Sequence, residues 1–158
     1  MLRFSVACVF AAFCVVGLTG FQHPATVSGN PLVRKLAGYR VEVSTAELGG
    51  SEREVASYWG GYGPTTSRVT RMRVWRGDHE VPYVPRSAYA DLSQVHRLDL
   101  VKSKNGITVE IEGGDASTGY TARIVIRGND VVSRSVHSGE FPDNFWEKTE
   151  YHSQDPGG

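Results

Sequence analysis

Ile107-Thr108-Val109-Glu110-Ile111-Glu112 and, after a glycine-rich stretch, Tyr120-Thr121-Ala122-Arg123-Ile124-Val125-Ile126-Arg127 decide the fold class. In the first run Ile107, Val109 and Ile111 alternate with Thr108, Glu110 and Glu112. In the second, Tyr120, Ala122, Ile124 and Ile126 alternate with Thr121, Arg123, Val125 and Arg127. Successive strand side chains point to opposite faces, so a period of two marks a strand with one face buried. The Gly113-Gly114-Asp115-Ala116-Ser117-Thr118-Gly119 stretch between them reads as a hairpin loop.

The same pattern extends in both directions. Residues 95–102 form a strand with Leu98 and Leu100 inward, closed by Asn105-Gly106, a strong hairpin signal for a turn with two positive φ angles. Gly128-Asn129 makes another tight turn into a strand over residues 131–138, and a last short strand covers about residues 145–151. Upstream, residues 39–45 and 67–75 alternate, and residues 80–84 make a brief strand in which Pro82 cannot donate to a ladder. Residues 87–92 read as one helical turn capped by Ser87, and residues 51–58 as a short helix with Ser51 and Glu54 at capping-box spacing. The expectation is an all-β antiparallel meander of about seven short strands, in a small barrel or half-barrel, with a β-sandwich as the alternative. One or two short helical turns complete it.

The N-terminus reads differently. Arg3 precedes residues 4–18, a run of 15 uncharged and mostly apolar residues. A bilayer needs about 20 apolar residues, whereas a signal peptide has an apolar core of about 7–15. Residues 1–20 are therefore expected to be a signal peptide cleaved near Gly20, leaving no stable membrane span. Residues 21–38 form a lead-in or linker, residues 39–152 the β domain and residues 153–158 a mobile tail. The destination is periplasmic or extracellular.

Composition then excludes several chemistries. Cys8 and Cys14 both lie in the signal segment, so the mature chain has no cysteine nucleophile, thiolate metal site or redox pair. The whole chain carries 17 basic and 17 acidic residues, a balance that points to no nucleic-acid partner. His23, His79, His96, His137 and His152 stand apart, without zinc-site spacing, so neither a metal nor a cofactor is expected. Signatures of a serine nucleophile are missing too.

Two segments hold the candidate binding residues. Trp59-Gly60-Gly61-Tyr62-Gly63-Pro64 places Trp59 and Tyr62 on a glycine-rich loop, where aromatics stack on sugars or anchor in partners. Alternatively they fold back and seal one end of the barrel, with Phe141, Phe145 and Trp146 plugging the opposite end. Residues 75–91 hold Arg76, Asp78, His79, Arg86 and Tyr89 among turns and prolines. Such a grouping supports binding or acid–base work, although Asp78 suits a turn, Tyr89 a core position, and Arg86 with Asp91 a surface pair. Arg76-Gly77-Asp78 also spells an adhesion tripeptide, a match too short to carry weight.

The functional expectation is a non-catalytic binding or accessory protein of the cell envelope, with a protein or a glycan as partner. The alternatives are an assembly subunit pairing through a strand edge and a small secreted hydrolase. Intact-mass analysis of the exported protein is expected to show residues 1–20 removed; a product that retains them contradicts the signal-peptide reading.

Overall fold

The computed structural model describes residues 29–49, 58–61 and 66–152. The expected signal segment at residues 1–20, the helix expected at residues 51–58 apart from Tyr58, the candidate Tyr62 and the expected tail at residues 153–158 lie outside the described residues.

The described residues are all-β and antiparallel, with nine strands in two sheets rather than about seven. The first sheet holds β1 (Leu32–Leu36), β2 (Tyr39–Glu47), β3 (Ser67–Arg76) and β4 (His79–Glu80) in that order. The second holds β5 (Val95–Ser103), β6 (Gly106–Gly113), β7 (Tyr120–Arg127), β8 (Asp130–Ser138) and β9 (Phe145–Glu150), again in chain order. Single 3-10 turns at Arg86–Ala88 and Ala116–Thr118 are the helical elements among the described residues.

Alternation works as expected where it was clearest. Ile107, Val109 and Ile111 from β6 and Tyr120, Ala122, Ile124 and Ile126 from β7 are buried, while their neighbours are not. They meet Tyr39, Val41, Val43, Met72 and Val74 of the first sheet in one continuous core. Burying such side chains supplies roughly 1.5–3 kcal/mol each, the main favourable term for a domain without disulfides. The connection between the sheets also enters this core, through Val81, Ala88, Tyr89 and Leu92. β1 runs beside β5, and Arg68 of β3 bridges to Ser93, but no closed barrel is present among the described residues. The architecture is two facing sheets joined at one side, closer to an open half-barrel or sandwich.

Three local readings change. Residues 32–36, placed in the lead-in, form β1, paired along its whole length with β2. Ala37 and Gly38, both at positive φ, make the two-residue turn that folds β1 back. The brief strand expected at residues 80–84 contracts to β4, His79–Glu80. The β5–β6 hairpin turns on Lys104 and Asn105 rather than on Asn105-Gly106, and neither takes positive φ. Gly106 has another role: a Cβ there would lie 1.9 Å from the Ile126 carbonyl oxygen, so glycine permits the close approach of β6 to β7.

Tyr120 ties the core to the inter-sheet connection. Its hydroxyl donates to the Ser93 carbonyl at 2.9 Å, and a Cβ at Gly113 would strike that hydroxyl at 2.4 Å. Burial raises the Tyr120 pKa well above the ordinary tyrosine value. The sign follows from linkage: the folded state keeps this proton after the unfolded chain loses it, so stability falls as pH rises past about 10. The urea midpoint is expected to drop between about pH 8 and about pH 11 in the native protein. Tyr120→Phe lowers the midpoint at the first pH and reduces the further drop; an unchanged drop contradicts this account.

Candidate functional site

A pocket of about 680 Å³ opens beside the second sheet, lined by Tyr58, Trp59, Asp91, Thr118, Trp146 and Glu147 with neighbouring loop residues. That volume lies within the roughly 300–1,000 Å³ usual for small-ligand sites. Four separate pieces of chain build it, and each has a local reason for its position.

Trp59 is pinned through its backbone. Its N–H donates to the Asp91 carbonyl at 2.9 Å, and its carbonyl accepts from the Ser93 hydroxyl at 2.6 Å. Gly60 follows at φ 92°, where a Cβ would meet the Tyr120 ring at 2.7 Å and the Gly114 backbone nitrogen at 2.9 Å. Only glycine allows this loop to lie so low on the hairpin. Thr118 closes the lip: its hydroxyl lies 2.8 Å from the Asp115 carboxylate and 3.2 Å from the Gly60 carbonyl.

Trp146 arrives from β9 through a break in register. Val136 of β8 faces Glu147 and His137 faces Phe145, so Trp146 is the extra residue of a β-bulge. A bulge re-aims side chains. Here two successive residues, Trp146 and Glu147, both line the pocket, which regular alternation would forbid. The indoles of Trp59 and Trp146 stack, with ring centroids 5.5 Å apart and planes 13° from parallel. Trp59 packs against the core on its other side, while Trp146 remains 47% exposed. The pair is a stacked apolar surface, and Trp146 is its more exposed member.

Arg134 places the carboxylates. It occupies an inward position on β8 and is almost fully buried. One guanidinium nitrogen donates to the Ser87 carbonyl at 2.6 Å, and the other to Asp91 Oδ2 at 2.8 Å. Glu147 Oε1 lies 3.7 Å away, and it accepts the Thr149 hydroxyl at 3.1 Å. One buried cation thus holds two acids on the pocket wall. Arg134 Nε and Asp91 Oδ1 are buried without a hydrogen-bond partner.

The candidates read from sequence separate here. Trp59 lines the pocket. Tyr62 lies outside the described residues. Arg76, Asp78 and His79 sit on the exposed β3–β4 hairpin, and Arg86 is exposed at the first 3-10 turn; none of them lines the pocket. Tyr89 is buried in the core. Asp91 pairs with Arg134 rather than with Arg86. Trp146, expected at the opposite end from Trp59, lies stacked on it. No group of three or more His, Cys, Asp or Glu side chains able to hold a metal occurs among the described residues.

The arginine cluster of β3 has its own arrangement, on the outer face of the first sheet. The Arg40 and Arg73 guanidinium carbons lie 3.9 and 4.4 Å from the Trp75 ring centroid. Arg73 also forms a two-pronged pair with Glu80 and holds its carboxyl below the ordinary range. Exposed pairs of this kind add little stability.

The chain matches no known protein family, and no curated protein or solved structure is recognisably similar to it.

Arg134→Ala would leave Asp91 and Glu147 facing a cavity without their counter-ion. Removing one partner of a fully buried pair costs about 3–5 kcal/mol; the Asp91 and Glu147 side chains keep 36% and 31% exposure, so urea denaturation is expected to show a smaller loss, above about 1 kcal/mol. A loss below about 1 kcal/mol, the range of exposed pairs, would mean that Arg134 does not organise the site.

Proposed function

We propose that this protein is an exported, non-catalytic binding module that holds a sugar ring of a glycan in the Trp59–Trp146 pocket. The single observation that carries the reading is the stacked indole pair with acids and a hydroxyl on its rim. Sugar rings present flat C–H faces and a circumference of hydroxyls. An exposed indole matches the first, and fixed carboxylates accept hydrogen bonds from the second. A rigid aromatic platform also loses little side-chain entropy when a ligand binds. Export is supported by the uncharged run at residues 4–18 behind Arg3.

A second reading has its own observation. β9 is the terminal strand of its sheet, and Phe141, Phe145 and Trp146 around it are exposed. Terminal strands pair readily with other chains. Sedimentation at rising concentration separates the two readings: glycan binding by a monomer supports the first, and self-association that Trp146→Ala abolishes supports the second.

The direct test is glycan-array binding followed by titration. Trp146→Ala is expected to fold, losing about 0.5–1.5 kcal/mol with the aromatic contact. Its affinity for the captured glycan is expected to fall at least about tenfold. Undiminished capture by that variant would contradict the proposal.

A further inference from the structure

The electrostatics of the pocket narrow the ligand further, on the premise that the pocket takes a sugar. Both charged side chains that line it among the described residues, Asp91 and Glu147, are acidic. The cation between them is not available to a ligand. Arg134 is 2% exposed and already directs its terminal nitrogens to Ser87, Asp91 and Glu147. Arg68 donates to the Tyr58 hydroxyl at 3.3 Å. A ligand therefore meets two carboxylates, and the guanidinium between them is out of its reach.

The acceptors are placed for use. Glu147 commits Oε1 to Thr149 and Arg134, while Oε2 takes no hydrogen bond among the described residues. Its side chain remains 31% exposed, and it is adjacent in the chain to Trp146 on the bulge. Asp91 has Oδ1 buried and Oδ2 bonded to Arg134, so it contributes negative charge rather than a free acceptor. The Thr118 hydroxyl is engaged by Asp115 and Gly60. A carboxylate oxygen left open beside an indole favours a ligand group that donates to it. An indole face beside a carboxylate attracts a cation by its quadrupole as well as by charge.

We infer that the sugar held by Trp146 carries a protonated amine, so that the pocket is selective for an amino sugar with a free ammonium group. The ring lies on the Trp146 indole and the ammonium donates to Glu147, with Asp91 adding to the negative field. A sugar bearing a carboxylate is rejected by the same two acids.

The test compares two tetrasaccharides with the same ring and linkage, glucosamine tetramer and its fully N-acetylated counterpart, by calorimetric titration of the purified protein. The free amine is expected to bind at least about tenfold more tightly, since a charge-assisted hydrogen bond is involved. That preference is expected to shrink with added salt and to vanish at a pH where the amine is neutral. Glu147→Gln, checked by its melting curve, is expected to remove it, so that the two sugars bind with equal affinity. Equal affinities for the two sugars overturn the inference and leave the glycan pocket standing. Binding of neither sugar, nor of any other glycan on an array, removes the pocket reading itself. A lysine tetrapeptide that binds as tightly as the amino sugar also overturns the inference, because recognition would then need charge and no ring. A preference that survives salt and Glu147→Gln overturns it too.

Discussion

Arg134 is the interaction on which the rest of the pocket depends. A guanidinium inside a β-sheet core is costly unless every nearby acceptor is used, and the uncompensated penalty runs to several kcal/mol. The chain meets most of that demand from three directions, leaving Arg134 Nε and Asp91 Oδ1 unpaired. The Ser87 carbonyl comes from the first 3-10 turn, Asp91 from the inter-sheet connection, and Glu147 from the last strand. Because the charge must be satisfied, these three segments cannot drift apart. The pocket wall is therefore a by-product of neutralising one buried cation, and its acids are fixed before any ligand arrives.

Two backbone devices then complete the surface. The bulge in β9 presents Trp146 and Glu147 to the same side, so the apolar platform and the free carboxylate oxygen are neighbours. Gly60 and Gly114, both at positive φ and packed against each other, let the Trp59 loop settle onto the β6–β7 hairpin. Bulky residues at either position would lift Trp59 away from Trp146. The outer face of the second sheet gives a contrast. There Arg97 pairs with Asp99 and Glu112, and Arg123 with Glu110, in exposed charge-balanced contacts. Those contacts suit a solvated surface, whereas the pocket's acids share a cation that solvent does not reach.

Much of this fold is legible in the sequence, because β6 and β7 keep strict alternation over eight residues each. β1 is not, for a physical reason. Leu32, Arg34 and Leu36 share its inner face, and the Arg34 side chain escapes to Asp99 of β5 at 3.8 Å. A charge in the middle of a short alternation erases the pattern, and pairing with β2 decides the outcome. Trp59 was legible as an aromatic on a glycine-rich loop. Its partner was not, because a bulge is a property of register and register is absent from local sequence. Arg134 left a trace: it is in phase with Val136, where an apolar residue is expected. A second bulge, between β7 and β8, shifts the phase within β8, so Val131 and Arg134 both point inward. The trace can be read only once that bulge is known.

The most direct test of the central claim uses the three tryptophans as reporters. Indole N–H resonances can be followed by nuclear magnetic resonance while glycan is added to isotopically labelled protein. The account predicts that the Trp59 and Trp146 signals shift together and saturably. Trp75, held between arginines on the outer face of the other sheet, should stay in place. Movement of Trp75 alone, or of no indole across a broad glycan panel, would contradict the claim that the stacked pair is the binding platform.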